Sequence, residues 1–353
     1  MSDPSRFLLP HISRMKGYVP GEQPKQGEFL KLNTNENPYA PSPLVLERVR
    51  QACDERLRRY PDPDASGVKS RLSKLFGLPV ESILVGNGSD ELLNLAIRCF
   101  VGRANRVVIP HPTYPYYEKL VQLQDGLLVR VNFEEDFTLP REFIDASASM
   151  TIIANPNSPS GTLVSNEMIE AVATGTEGVV ILDEAYVDFS DVGGLQLLER
   201  FPNLIVMRTM SKSFSLAAMR IGYCFAQPSV IAGLAKAKEH YNVGLLAQIA
   251  AEAALDDLQY MKGNAERVKK VRTDLSSELR RLGFEVWDSA ANFVLARIER
   301  PKAADIYGEL KRRNVLVRYF DDPRLRDCLR ISVGTDEEIA VLIEHLDEII
   351  EKR

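Results

Sequence analysis

The chain has 353 residues, 45% of them hydrophobic and 26% charged, with a formal net charge of −5. At about 100–200 residues per domain this length suggests two domains. A mildly acidic chain without a dense basic run is a poor partner for nucleic acid or for an anionic membrane surface. Cys53, Cys99, Cys224 and Cys328 are far apart, as are His11, His111, His240 and His345. That pattern offers no disulfide framework, CxxC pair or metal-ligand spacing, so a reducing compartment and no metal are expected. The N-terminus has no apolar run of signal-peptide length, and nothing approaches the roughly 20 apolar residues of a membrane span. A soluble cytoplasmic protein is the expectation.

Residues 1–31 are polar and rich in Pro and Gly, and read as an arm with little structure of its own. A helical pattern begins near residue 42 with Leu44, Val45, Val49 and Ala52, and RRYPDPDASG (58–67) breaks it. Five short apolar runs follow: Ile83-Leu84-Val85, Val107-Val108-Ile109, Ile152-Ile153-Ala154, Val179-Val180-Ile181-Leu182 and Leu204-Ile205-Val206-Met207. Segments of helical length separate them. Such alternation predicts an α/β fold with a mostly parallel sheet covered by helices. Beyond about residue 230 long helical stretches dominate up to about 282. The strand-like pieces NFVLARI (292–298), NVLVRYF (314–320) and CLRISVG (328–334) come next, with a helical segment between the first two. Thr335 and Glu338 form a capping box for a last helix with an apolar stripe of Ile339, Leu342, Leu346 and Ile349-Ile350. The division expected is a large domain over 30–255 and a smaller α+β unit made of the arm, 1–29, and residues 256–353.

In a parallel sheet, ligands bind beyond the carboxyl ends of the strands. After Val85 comes GNGSDE (86–91), glycines and small polar residues opening a helix. That is either a plain cap or an anion site made of free N–H groups; Glu91 stands where a dinucleotide fingerprint needs glycine. After Ile109 comes PHPTYPYY (110–117), in which Tyr114 either packs or stacks on a flat ligand. After Ala154 comes NPNSPSG (155–161), a turn carrying amides and hydroxyls. After Leu182 comes DEAY (183–186). A run ending in Asp-Glu resembles a nucleotide hydrolase element, but no Gly-Lys dipeptide exists to supply the phosphate loop. After Met207 comes RTMSKSFSLAAMRIGY (208–223), with Lys212 between two serines and Arg220 eight residues on.

Together these strand ends supply what pyridoxal 5′-phosphate requires. It needs an amine for a covalent link, a carboxylate for the pyridine nitrogen, donors for the ring hydroxyl and an aromatic over the ring. Its phosphate needs N–H groups, hydroxyls and an arginine.

The set GNGSDE, PTYPYY, NPNSPSG, DEAY and SKSFSLAAMRIGY, in this order, resembles the fold-type I pyridoxal-phosphate-dependent aminotransferases. LNTNENPYAPSP, RRYPDP, NFVLAR and CLRISVGT bring it nearest to the branch acting on histidinol phosphate. The resemblance covers nearly the whole chain. It implies that Lys212 is the Schiff-base lysine, Asp183 the partner of the pyridine nitrogen and Tyr186 a donor to the ring hydroxyl. It implies Tyr114 stacked on the ring, and the phosphate held at Gly88, Ser89, Asp90, Thr209, Ser211 and Arg220. Tyr60 would reach the site of a second subunit, making a homodimer. Arg330 would hold the substrate's anionic group, with Tyr18, Asn35 and Arg318 near the same pocket. The family pattern has a second Asn where this chain has Ser158, so either Ser158 or Asn157 serves the ring hydroxyl; Asn157 is the expected one.

The activity implied is transfer of an amino group between L-histidinol phosphate and 2-oxoglutarate. An aromatic aminotransferase, a threonine-phosphate decarboxylase and a cofactor-dependent regulator share the framework. The regulator would carry an additional DNA-binding segment, and with motifs starting near residue 30 in an acidic chain it is the least expected of these.

Overall fold

The computed structural model describes residues 4–17, 21–23 and 27–351. In chain order the strands are β1 Leu30–Lys31, β2 Ile83–Asn87, β3 Arg106–His111, β4 Leu127–Asn132, β5 Met150–Ala154, β6 Val179–Asp183, β7 Leu204–Thr209, β8 Ile221–Phe225, β9 Glu285–Val286, β10 Phe293–Arg297, β11 Val315–Leu316, β12 Arg318–Tyr319 and β13 Cys328–Ser332. Seven of them form one sheet in the order β2-β8-β7-β6-β5-β3-β4. β8 runs antiparallel to both neighbours, and the remaining pairs are parallel.

Each of the five apolar runs is a strand of this sheet. β5 and β7 are buried at every position, because alternate side chains enter two different apolar clusters. Ile153, Leu182 and Val206 belong to one cluster; Ile152, Ile181 and Ile205 belong to the other. Helices Ser89–Phe100, Tyr116–Leu123 and Pro228–Ala237 contribute to the second. Burying one such aliphatic side chain stabilises the fold by about 1.5–3 kcal/mol. This two-sided burial is why the strands read as continuous runs rather than as alternation.

The sequence reading missed β4 and β8. β4 is an edge strand with half-buried and exposed positions, so its pattern is weak. β8 follows β7 through the link 210–220, too short for the helical crossover that a parallel return needs, and it therefore comes back antiparallel.

A second sheet has the antiparallel order β12-β13-β10-β9. The segment NVLVRYF is divided between two partners. Its first half pairs in parallel with β1 and its second half with β13. Residues just past the N-terminal arm thus join the C-terminal strands: Leu32 N–H donates to Leu316 O (2.8 Å) and Leu32 O accepts from Ser332 N–H (2.9 Å). The arm, expected to lack structure, contains a 3-10 turn at Pro4–Phe7 and a short helix at Pro10–Arg14. The capping box of the last helix is formed: Thr335 N–H donates to Glu338 Oε2 (2.8 Å) and Glu338 N–H to Thr335 Oγ1 (3.2 Å). Among the described residues no helix is long and apolar enough to cross a membrane.

One ion pair lies inside this framework. Glu184, fully buried just beyond β6, accepts from Arg208 of β7 at 2.7 Å and from Gly194 N–H at 2.5 Å. Arg208 also lies 5.0 Å from the Phe76 ring. Removing one partner strands a buried charge, so Glu184→Ala is expected to lower the unfolding free energy by about 3–5 kcal/mol. A urea titration of the purified variant checks this, and a loss below ~1 kcal/mol would show that water reaches the pair.

Candidate active site

A cavity of ≈ 200 Å³ opens where β3, β5, β6 and β7 end, and β12 and β13 close its far side with Arg318, Phe320 and Arg330. Asp183, the last residue of β6, sits in register between Ala154 of β5 and Met207 of β7. Its carboxylate accepts from the Tyr117 hydroxyl at 2.6 Å and from Ala185 N–H at 3.1 Å. Burial pushes its pKa up to about 6, against the pull of these two hydrogen bonds, and Asp90 and Glu184 add to the rise. Burial, together with Asp183, likewise pushes the Tyr117 phenol well above its ordinary value. A protonated ring nitrogen presented from the cavity would stabilise this carboxylate.

Lys212 emerges from the turn after β7. Its Nζ donates to Thr34 O at 3.3 Å and lies 5.6 Å from the centre of the Tyr186 ring. The Tyr186 hydroxyl accepts from Asn35 Nδ2 at 3.0 Å, and its ring meets Phe293 edge-on at 5.0 Å. Tyr114 stands edge-on to Tyr117 at 5.4 Å, with its hydroxyl 3.4 Å from Asp90 Oδ1.

The anion cradle is built by close backbone approach. Ser89 and Asp90 open the helix after β2, and N–H groups of a first turn have no intrahelical partner. Gly88 caps that helix with φ +79°, and a Cβ there would lie 2.6 Å from Arg220 Nη2. A Cβ on Gly222 of β8 would lie 2.3 Å from Ser89 N. Both glycines are therefore required for the helix start and the guanidinium to share one corner. Arg220 lies 3.0 Å from the Asp90 carboxylate and 3.4 Å from Ser211 Oγ, which is 2.9 Å from Thr209 Oγ1.

At the opposite end Arg330 Nη1 donates to Ser158 Oγ (3.1 Å) and Nη2 to Asn33 O (2.9 Å). Arg318 is its direct cross-strand partner, and the two guanidinium carbons lie 5.3 and 5.6 Å from the Phe320 ring. Like charges directly opposite destabilise a sheet; an anion between them relieves that cost.

An amine, a buried carboxylate, an anion cradle and a pair of arginines thus share one cavity, and the donor set fits pyridoxal phosphate. The family model for aminotransferase class I and II matches residues 27–346. The chain belongs to the class I and II aminotransferases. This aminotransferase is 40% identical to "Histidinol-phosphate aminotransferase 1" of Trichormus variabilis, over 98% of this chain and 99% of that one. It is 41% identical to the Nostoc sp. protein of the same name, over 99% of each. Among solved structures, the histidinol-phosphate aminotransferase of Sinorhizobium meliloti in complex with pyridoxal-5′-phosphate superimposes with TM-score 0.86 at 29% identity, over 91% of both chains. The fold is that of the fold-type I enzymes.

Of the residues singled out in the sequence, Ser89, Asp90, Tyr114, Asp183, Tyr186, Thr209, Ser211, Lys212 and Arg220 line the aminotransferase cavity, as do Asn35, Arg318 and Arg330. Asn157 does not. Its Nδ2 donates to Pro112 O and Ser160 Oγ, and its Oδ1 accepts from Thr113, so its amide ties its own loop to the one after β3. Ser158, the other residue expected to serve the ring hydroxyl, does line the cavity. The Asp90 carboxylate is taken by Arg220, which leaves its backbone N–H for an anion. Tyr60 is 79% exposed, stacked on Tyr241 at 4.3 Å, and does not line this cavity. Tyr18 lies outside the described residues. The sequence reading missed Tyr117, Asn33 and Phe320. For Tyr117 a signal existed: it belongs to the same aromatic stretch after β3 as Tyr114, at the start of the helix Tyr116–Leu123.

The raised Asp183 pKa has a defined consequence for the ligand-free chain. The folded state holds this proton up to about pH 6, while the unfolded state releases it near 3.8, the ordinary value for an aspartate. Stability from this group is therefore present below that window and falls as pH rises through it, by about 3 kcal/mol in all. Asp183→Asn removes the effect. Thermal unfolding of both proteins between pH 4 and 7 should show the variant gaining on the wild type up to about pH 6 and a constant gap above it. A gap that does not change with pH would mean that the carboxylate is hydrated.

Proposed function

We propose that this aminotransferase uses pyridoxal 5′-phosphate to move an amino group between L-histidinol phosphate and 2-oxoglutarate, giving imidazole acetol phosphate and glutamate. The observation that carries this reading is the convergence of Lys212, Asp183 and the Ser89–Arg220 cradle on a cavity that also receives Arg318 and Arg330. The relatives named above support the choice of substrates.

When bound, pyridoxal phosphate supplies an aldehyde carbon for the amines and an electron-accepting ring. The chain's own residues do the rest. Lys212 Nζ holds the cofactor, takes the proton from the substrate α-carbon and returns it. Asp183 keeps the ring nitrogen protonated. Tyr186 donates to the ring hydroxyl, and Tyr114 covers a ring face. Ser89, the backbone of Asp90, Thr209, Ser211 and Arg220 bind the phosphate, with Gly88 giving them room. Arg330 and Arg318 bind the anionic end of either substrate, a phosphate in one and a carboxylate in the other, because guanidinium donors suit both. Asn35 borders the same pocket. In this reading residues 30–255 form the cofactor-binding unit, and residues 1–29 with 256–353 form the smaller one. The enzyme acts in the cytoplasm as a homodimer, with exposed Tyr60 extending to the second subunit's cofactor phosphate.

Lys212→Ala should abolish both turnover and the visible absorbance of the linked cofactor; turnover of histidinol phosphate at the normal rate would refute the role. Arg330→Gln should raise KM for histidinol phosphate by about 10- to 100-fold, the worth of one charge-assisted pair, while leaving the cofactor spectrum in place. Half-reaction spectra with histidinol phosphate, phenylalanine and threonine phosphate side by side fix the substrate. The reading predicts the fastest spectral change with histidinol phosphate. A faster change with phenylalanine, or release of carbon dioxide from threonine phosphate, would replace it.

A further inference from the structure

Asn35 has a left-handed backbone, φ +57°, and is almost wholly buried. Asparagine is among the few residues that tolerate this region. All four of its polar groups are bonded. Its N–H donates to Ser332 Oγ at 2.9 Å and its carbonyl accepts from Asn292 Nδ2 at 3.0 Å. Its Oδ1 accepts from Ser332 Oγ at 3.0 Å, and its Nδ2 donates to the Tyr186 hydroxyl at 3.0 Å.

The directions of these bonds follow from the donor inventory. Ser332 Oγ has one hydrogen and spends a lone pair on the Asn35 N–H, so that hydrogen goes to Asn35 Oδ1. The amide is thereby fixed with its NH₂ toward Tyr186. An NH₂ group only donates, so Tyr186 accepts from Asn35 and must give its own hydrogen elsewhere. The Tyr186 side chain lines the cavity, and an acceptor oxygen there receives that hydrogen.

We propose that Ser332, which no part of the reaction above employs, is a positioning residue: through the Asn35 amide it fixes Tyr186 as a donor into the cavity. The inference rests on the proposed cofactor, whose ring hydroxyl is the acceptor. It also links the two ends of the site, since Ser332 lies two residues beyond Arg330 on β13.

Ser332→Ala, Ser332→Thr and Asn35→Asp test it. Two readouts apply besides turnover: the pyridoxal phosphate Kd of the cofactor-free chain, and the pH midpoint of the bound cofactor's visible absorbance. A hydrogen bond donated to an ionised oxygen favours the ionised form, so its loss moves the midpoint up. Ser332→Ala should weaken cofactor binding about 3- to 10-fold and raise the midpoint, and Ser332→Thr should restore both. Asn35→Asp keeps the shape but turns the donor into an acceptor that captures the Tyr186 hydrogen. It should match or exceed the Ser332→Ala defect. A folded Ser332→Ala protein with wild-type Kd and midpoint, whatever its melting temperature, overturns the inference, as does an Asn35→Asp protein that binds the cofactor normally. A wild-type chain that takes up no pyridoxal phosphate overturns the cofactor reading and this inference together.

Discussion

Parallel strands all end on the same side of their sheet, and that constraint governs this molecule. β2, β3, β5, β6 and β7 deliver their last residues to one edge, where each chain must turn into a covering segment. Polar and conformationally special residues are tolerated there more readily than within the strands, which are buried on both faces. The amine, the carboxylate and the anion cradle are therefore neighbours in space although more than a hundred residues of sequence separate Ser89 from Lys212. The one antiparallel strand of this sheet, β8, sharpens the arrangement. It brings Arg220 and Gly222 back against the helix start at Ser89, so that guanidinium and first-turn N–H groups face one corner.

The second sheet serves a different purpose. Its strands present Arg318 and Arg330 to the cavity from outside the parallel edge, and Leu30–Leu32 ties the N-terminal part of the chain to it. Asn35, three residues further on, is held by Ser332 and Asn292 from that sheet and reaches Tyr186 beside β6. The cofactor side and the substrate side of the site are thus in hydrogen-bonded contact, which links the strand of Arg330 to the residues around Lys212.

Most of the architecture was legible in the sequence because burial on two faces leaves an unmistakable mark: an unbroken apolar run ending in small or polar residues. Lys212 and Asp183 were legible for the same reason, lying at or just past such a run, and Arg220 by its place eight residues after Lys212 in the same motif. What escaped had no such mark. β4 is half-exposed, and β8 is set by the length of a link rather than by its own residues. Asn157 illustrates the harder limit. Its residue type suited the cofactor, but where an amide points depends on competing partners in two folded loops, and Pro112, Thr113 and Ser160 bond it. Ser332 lay unremarked in the motif of Arg330, since its role passes through a residue some three hundred positions away in sequence.

The central claim is that the Lys212 amine is the point to which pyridoxal phosphate is joined. Borohydride reduction of the cofactor-loaded protein, followed by peptide mass mapping, tests it most directly. The account predicts a pyridoxyl group on the peptide containing Lys212 and on no other lysine. A stable pyridoxyl group on a different lysine, with the Lys212 peptide unmodified, would contradict it.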